Sequence, residues 1–274
     1  MNIDLSIHVD LARKILTGFL RSEITRAGYS RGVVNLSGGL DSAVTAALLV
    51  EALGAENVMA LRLPYSASTS DSLEDAQQMI NQFKMQSQTF EITKMVDPLF
   101  QHDSKMSNTR RGNIMARARM IILYDQTEVF RGLPIGTSNK TEILLGYTTL
   151  WGDMCCALNP LGDLYKTQVR QLARALNIPQ RILEKAPSAD LWTGQTDEGE
   201  LGFTYEDVDR LLYLIVDQRY NREDCIQAGF SPEFLEKVTD RVRHNQFKRM
   251  MPPIAKLSNR TMGYDFLYLR DWGT

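Results

Sequence analysis

Six consecutive residues, Ser37-Gly38-Gly39-Leu40-Asp41-Ser42, bring together two glycines, two hydroxyls and a carboxylate. Glycines let a backbone come close to an anion, and the amides opening a following helix add donors and a positive dipole. Ser37 and Ser42 contribute hydroxyl donors. Asp41 is the odd member, because a carboxylate repels phosphate unless a cation lies between them. Mg2+ suits that position, since it takes one or two carboxylates plus phosphate oxygens. No Lys-Ser/Thr follows the glycines and no GxGxxG is present, so neither common nucleotide loop applies. The bland alternative is a glycine turn feeding a capped helix.

The elements that must position this loop follow from periodicity. Val33 to Leu36 reads as a strand running into the glycines, and Asp41 to Leu53 as the helix leaving them, closed by Gly54. An amphipathic helix precedes them over about 4–27. Further strands are expected at Asn57 to Leu63, Gln88 to Thr93 and Leu133 to Ile135, with helices at Asp71 to Phe83 and Asn113 to Phe130. This alternation predicts an α/β fold: a Rossmann-like parallel sheet with helices on both faces. Lys166 to Leu176, Tyr205 to Asp217 and Pro232 to His244 then predict a helical C-terminal part. The organisation expected is one domain over 1–274, with a core of about 30–180 and helices over about 181–274.

Composition narrows the function classes. Thirty-three acids against 31 Lys and Arg give a formal charge of −2, which disfavours a nucleic-acid coat or a membrane-surface binder. The longest apolar run, Leu211 to Val216, is far short of the ~20 residues a membrane helix needs. Acids at Asp4 and Asp10 stand where a signal peptide would be apolar. Cys155, Cys156 and Cys225 form no CxxC pattern, so no zinc site or disulfide framework is expected and a reducing cytoplasm fits. His8, His102 and His244 lie far apart and read as surface or packing residues.

The Ser-Gly-Gly-x-Asp-Ser string resembles the pyrophosphate loop of ATP pyrophosphatases that adenylate their substrates. A longer series narrows the match: Gly136-Thr137-Ser138-Asn139-Lys140-Thr141-Glu142, Trp151-Gly152-Asp153, Asn159-Pro160-Leu161, Lys166-Thr167-Gln168, Lys185-Ala186-Pro187-Ser188, Gln195-Thr196-Asp197-Glu198 and Leu201-Gly202. In this order and spacing the chain is similar to the ammonia-dependent NAD synthetases. The resemblance implies ATP- and Mg2+-dependent amidation of deamido-NAD with ammonia, giving NAD, AMP and pyrophosphate through an adenylate. It places ATP on Asn35, Leu36, Ser37, Gly38, Gly39, Leu40, Asp41, Ser42, Thr137, Lys166 and Ser188. It makes Asp41 and Glu142 the Mg2+ ligands, with Lys166 beside them in catalysis, and it puts deamido-NAD on Arg117 and Lys248. It further implies a cytoplasmic homodimer with no nucleic-acid or membrane partner, and a chain of this length is expected to use free ammonia rather than its own glutaminase.

Residue by residue, some of these assignments meet resistance. Lys166 opens a helix, where the dipole favours anions. Arg62, ending the second strand, is a further candidate nucleotide contact. In many ammonia-using members the positions of Leu150 and Ala157 hold a Lys and an Asp that touch deamido-NAD. Asp153 or the segment around Lys248 is expected to compensate. Cys155 and Cys156 read as packing, and 187–202 as a closing loop. The rivals are another adenylating enzyme, such as a tRNA-modifying one that would use the basic run at 241–256, and a nucleotide sensor without catalysis.

Overall fold

Val33 and Val34 point to opposite faces of strand β1 (Gly32–Asn35), and each belongs to a separate apolar core. The same alternation holds on β2 (Val58–Arg62), where Val58 and Ala60 join one core and Met59 and Leu61 the other. A sheet buried on both faces must be covered on both. The computed structural model, which describes residues 3–188, 192, 194–263 and 265, has that arrangement. Its sheet has four parallel strands in the order β3 (Gln86–Thr89), β2, β1, β4 (Leu133–Ile135). Pro134 is tolerated because β4 lies at an edge, extended only by a bridge from Ile135 to Leu158.

On one face lie α2 (Leu40–Leu53), α3 (Ser70–Phe83) and α7 (Lys166–Ala175), with α1 (Val9–Arg26) packed outside α2. This covering explains why α2 is apolar nearly all round. The other face is covered by α4 (Thr93–His102) and α5 (Asn108–Phe130) through Val96, Phe100, Met115, Ala118, Ile122 and Leu123. The third core joins α6 (Lys140–Leu145) to the C-terminal helices α10 (Tyr205–Leu212), α11 (Arg222–Gln227) and α12 (Pro232–His244). Two short helices, α8 (Gln180–Glu184) and α9 (Asp197–Leu201), connect these parts. The expected Rossmann-like sheet with a helical C-terminal part is therefore present.

Several boundaries differ from expectation for physical reasons. The third strand starts and ends earlier than Gln88 to Thr93, because Gln86-Ser87-Gln88-Thr89 is a polar edge strand without an apolar face. The first helix begins at Val9 rather than near residue 4, where His8 accepts from the Leu11 amide at 3.2 Å through Nδ1. Helix α5 starts five residues before Asn113, behind the Ser107 cap. The helix expected over 205–217 is α-helical only to Leu212 and continues as a π turn over Tyr213–Asp217.

One buried carboxylate ties the third core to the sheet. Asp209 on α10 is fully buried, and its Oδ1 accepts from the Thr141 hydroxyl at 2.5 Å. Its Oδ2 accepts from the Thr167 amide at 2.8 Å, in the first turn of α7. Thr141 Oγ1 in turn accepts from the Lys166 amide at 3.0 Å. Asp209→Ala removes both acceptors and strands two donors. We expect a loss of about 2–4 kcal/mol in urea unfolding, and a loss within experimental error would refute this bracket.

Candidate active site

In parallel α/β sheets, ligands bind outside the carboxyl ends of the strands, where neighbouring connections diverge. Here the loops following β1 and β4 open onto a cavity of about 730 Å3. The first loop is built around Ser37 and Ser42. Ser42 Oγ receives the Ser37 amide at 3.2 Å and donates to the Gly39 carbonyl at 3.0 Å, while the two hydroxyls lie 3.0 Å apart. Gly38 has φ +79, and a Cβ there would sit 2.1 Å from the Ser72 carbonyl oxygen of α3. No side chain is compatible with that approach. Gly39 caps α2 without a side chain, leaving the first amides of α2 for a ligand anion.

The second loop delivers Glu142. Asn139 caps α6 by accepting from the Glu142 amide at 3.0 Å, and Glu142 Oε2 accepts from the Asn139 amide at 3.2 Å. The Asn139 Nδ2 also donates to Asp41 Oδ1 at 3.0 Å, tying the two loops together. Lys166 completes the group. It is 3% exposed, its Nζ is hydrogen-bonded to Asp41 Oδ2, and it lies 3.8 Å from Glu142 Oε1. The Tyr205 ring centroid is 5.4 Å from the ammonium.

Burial alone would lower the Lys166 pKa, but Asp41 and Glu142 outweigh it and hold the ammonium above its ordinary value. Glu142 moves the other way: burial, then the Asp41 charge, push it from 4.5 up to about 8 against the pull of Lys166. The dipole conflict at the start of α7 is resolved by Asp209, whose carboxylate accepts from the Thr167 amide. Two hard carboxylates flanking one cation position form a donor set that suits Mg2+, whose remaining ligands are phosphate oxygens and water. Among the described residues no group of three or more His, Cys, Asp or Glu is arranged for a metal, so ligands beyond this pair must come from substrate or solvent.

Asn35, Leu36, Ser37, Gly39, Leu40, Asp41, Ser42, Thr137, Glu142, Lys166, Ser188 and Lys248 all line the cavity. Arg62 does too, hydrogen-bonded to Gln77. Lys248 donates to the carbonyls of Gly146 and Thr148, each at 2.7 Å. Arg117 does not line the cavity. Its side chain is exposed and Nη2 donates to the Leu150 carbonyl at 3.1 Å. The cavity arginine of α5 is Arg119, anchored on the Leu63 carbonyl at 2.9 Å. Cys155 and Cys156 are both raised, Cys156 to about 11, chiefly by burial, so they stay thiols at neutral pH.

Sequence reasoning passed over Asn139, Lys185, Asp197 and Asp209. The Asn-x-x-Glu spacing of a capping box was the available signal for Asn139. Lys185 lines the cavity and donates to Ser72 Oγ at 3.1 Å and to buried Asp75 at 2.8 Å. The closing loop expected over 187–202 includes Ala189, Asp190, Leu191 and Thr193, which lie outside the described residues. Its two ends are joined by the Asp197 amide donating to the Pro187 carbonyl at 2.9 Å. The basic run at 241–256 divides, with Arg243 and Lys256 exposed and the other three cations turned onto the fold. Arg241, Lys248 and Arg249 donate to the carbonyls of residues 143–146, at the end of α6.

With this geometry in hand, the relatives are informative. The model of the NAD synthase family matches residues 12–252. A curated NH(3)-dependent NAD(+) synthetase from Chlorobium phaeovibrioides is 52% identical over 98% of this chain and 97% of its own length. The NH3-dependent NAD synthetase of Campylobacter jejuni, solved with a nitrate ion, superposes with a TM-score of 0.79 at 30% identity, covering 92% of this chain and all of that one. The NMN synthetase of Francisella tularensis gives 0.82 at 31% identity, with the same coverage.

Two expectations follow from this geometry. Gly38→Ala should weaken ATP binding by at least about tenfold while the far-ultraviolet circular dichroism stays unchanged. Equal ATP affinity in calorimetry would show that the loop tolerates a side chain. A carboxylate whose pKa is raised by folding favours the folded state when protonated. The contribution of Glu142 is thus fully present below about 4.5 and is lost as the pH rises toward 8. Without ligands, the melting temperature should fall more steeply between pH 5 and 8 than in Glu142→Gln; parallel curves would contradict the shift.

Proposed function

The chain belongs to the NAD synthase family, and on that footing we propose that it amidates deamido-NAD with ammonia, using ATP, to form NAD, AMP and pyrophosphate. The observation carrying this reading is the Lys166 ammonium held against Asp41 and Glu142, directly beside an anion loop. Ser37, Ser42 and the opening amides of α2 would hold the polyphosphate, and Thr137 and Ser188 would bind the rest of ATP. Asp41 and Glu142 would hold Mg2+, which supplies charge neutralisation for the departing pyrophosphate. Lys166 would carry positive charge to the α-phosphate as the nicotinate carboxylate attacks. Ammonia then attacks the acyl carbon and AMP leaves. Holding carboxylate and ATP in line can supply up to ~7–11 kcal/mol of the barrier reduction.

Lys248, fixed on the Gly146 and Thr148 carbonyls, would contact deamido-NAD beside Asp153, whose Oδ1 accepts from the Thr149 amide at 2.7 Å. Leu150 and Ala157 carry no charge, so these neighbours take over that end. Arg117 would reach the dinucleotide only from an interface, which suits a homodimer. Exposed Ile121, Tyr124 and Val129 on α5, with Trp151, support such a contact. Leu211, Leu212 and Leu214 lie in the core and take no part in such a contact. No described helix is long and apolar enough to cross a membrane, and a cytoplasmic enzyme fits. Arg241, Lys248 and Arg249 are committed to backbone carbonyls, which leaves the tRNA-modifying rival only Arg243 and the ion-paired Lys256 of its basic run.

The assay supplies ATP, Mg2+ and ammonium with deamido-NAD and follows AMP and NAD. Nicotinic acid mononucleotide is the second acyl substrate to offer, given the Francisella structure. We expect turnover with deamido-NAD and its loss by at least about 100-fold in Asp41→Asn. Preference for the mononucleotide would reassign the substrate, and tight ATP binding without turnover would favour a sensor.

A further inference from the structure

Asp197, on the cavity wall formed by α9, has no role in the reading above. It is 5% exposed and faces the cavity. Its Oδ2 accepts from the Tyr205 hydroxyl at 3.1 Å, whereas Oδ1 is buried with no hydrogen-bond partner. A buried carboxylate oxygen left without a donor is costly, so such atoms are rare unless a ligand meets them. Burial, the largest influence, holds this carboxyl above the usual carboxylate range, although Lys166 pulls it down.

The surroundings define what could meet that oxygen. The Tyr147 hydroxyl also faces the Asp197 carboxylate and interacts with it, but its close hydrogen bond goes to Glu200, so Oδ1 gains no donor of ordinary geometry from it. Glu200 also accepts from Gln195 Nε2 at 2.9 Å. The ring of Tyr205 faces the Lys166 ammonium on one side, while its hydroxyl holds Asp197. Carboxylates and tyrosines repel or ignore phosphate and nicotinate, and they favour a small cation with N–H donors. Asp197 is separated from Lys166 by a single tyrosine ring, close to where the adenylate would form.

We propose that Asp197 Oδ1, beside the Tyr147 and Tyr205 side chains, binds the ammonium ion that supplies the amide nitrogen. The ion passes one proton to this carboxylate, attacks the acyl carbon as ammonia, and loses a second proton to solvent as AMP departs with the bond to the acyl carbon broken. This rests on the amidation reading and assigns its nitrogen substrate a place. The orphaned oxygen gains its missing donor, and the buried negative charge gains a counter-ion of the right size. The backbone amide of the same residue donates to the Pro187 carbonyl at 2.9 Å, which fixes Asp197 against the segment that follows Lys185.

Asp197→Asn tests the assignment through its effect on two nucleophiles. The KM for ammonium should rise at least about tenfold. Activity with hydroxylamine, which is uncharged at neutral pH, should fall far less. Exchange of radiolabelled pyrophosphate into ATP, run with deamido-NAD and no ammonium, should stay within about twofold of wild type. In the unaltered protein, Rb+, a monovalent ion of similar size, should compete with ammonium and leave exchange untouched. This measurement stands even if the variant does not fold. An equal fall for both nucleophiles, loss of exchange together with Mg2+ dependence, or no competition by Rb+ would each overturn the ammonium site. If the unaltered protein shows no exchange with deamido-NAD, the amidation reading itself has failed.

Discussion

A single ammonium, that of Lys166, has to balance more negative charge than it carries. Asp41 and Glu142 both lie against it, and Asp197 acts on it from the next wall. Burying such a set is expensive unless geometry and hydrogen bonds are close to ideal. The protein supplies them: Asn139 bridges the two loops, Tyr205 covers the ammonium, and Asp209 fixes the backbone from which Lys166 projects. What remains is a local excess of negative charge. Glu142 meets it by holding its proton up to about 8. A divalent cation or an ammonium ion would meet it as well. The apo site is therefore poised to take up cations, although it sits beside a loop built for anions.

The rest of the fold can be understood as what holds these charges in register. The two loops come from neighbouring strands, β1 and β4, whose register pairs Val34 with Ile135 immediately before them. Helix α3 presses against Gly38 so closely that only hydrogen fits there. Through Lys185 and Asp75 the same helix reaches the segment that carries Ser188. The C-terminal helices contribute differently. Their cations cap the end of α6. The C-terminal helices thus help to hold Asn139 and Glu142, at its opposite end, in place.

Much of this was legible in the sequence where local chemistry dominates. Ser37 to Ser42 was legible as a glycine-rich turn between a strand and a helix, and the structure places it there, against the cavity. The strands were visible where apolar residues run continuously, as in Val33-Val34, and poorly placed where the strand is polar, as in Gln86 to Thr89. Helix α4 escaped notice because Pro98 interrupts its pattern, and α6 because six residues show too little periodicity. Arg119 was not distinguished from Arg117, since two residues on one helix differ by about 200° in direction and the sequence does not say which way is inward. Asp197 stood within a quoted motif and Asp209 within an expected helix, but neither carried a role, because it is tertiary burial that sets them apart.

The nearly neutral net charge has a mechanistic side. A chain at −2 cannot draw in polyanionic substrates by its overall field, so attraction must come from cations at fixed points. Arg119 and Lys248 are anchored on carbonyl oxygens, which orient them in the cavity wall. Lys166 and Lys185, by contrast, are paired with carboxylates. The neutralised pair gains nothing until the balance of charge around it changes, as it does when a cation takes the carboxylates or a phosphate approaches the lysine. Electrostatic preorganisation is most effective when donors are placed where charge develops and are not spent on the ground state. Keeping Lys166 paired until substrates and cation are both present would therefore confine its full charge to the complex in which the acyl phosphate forms.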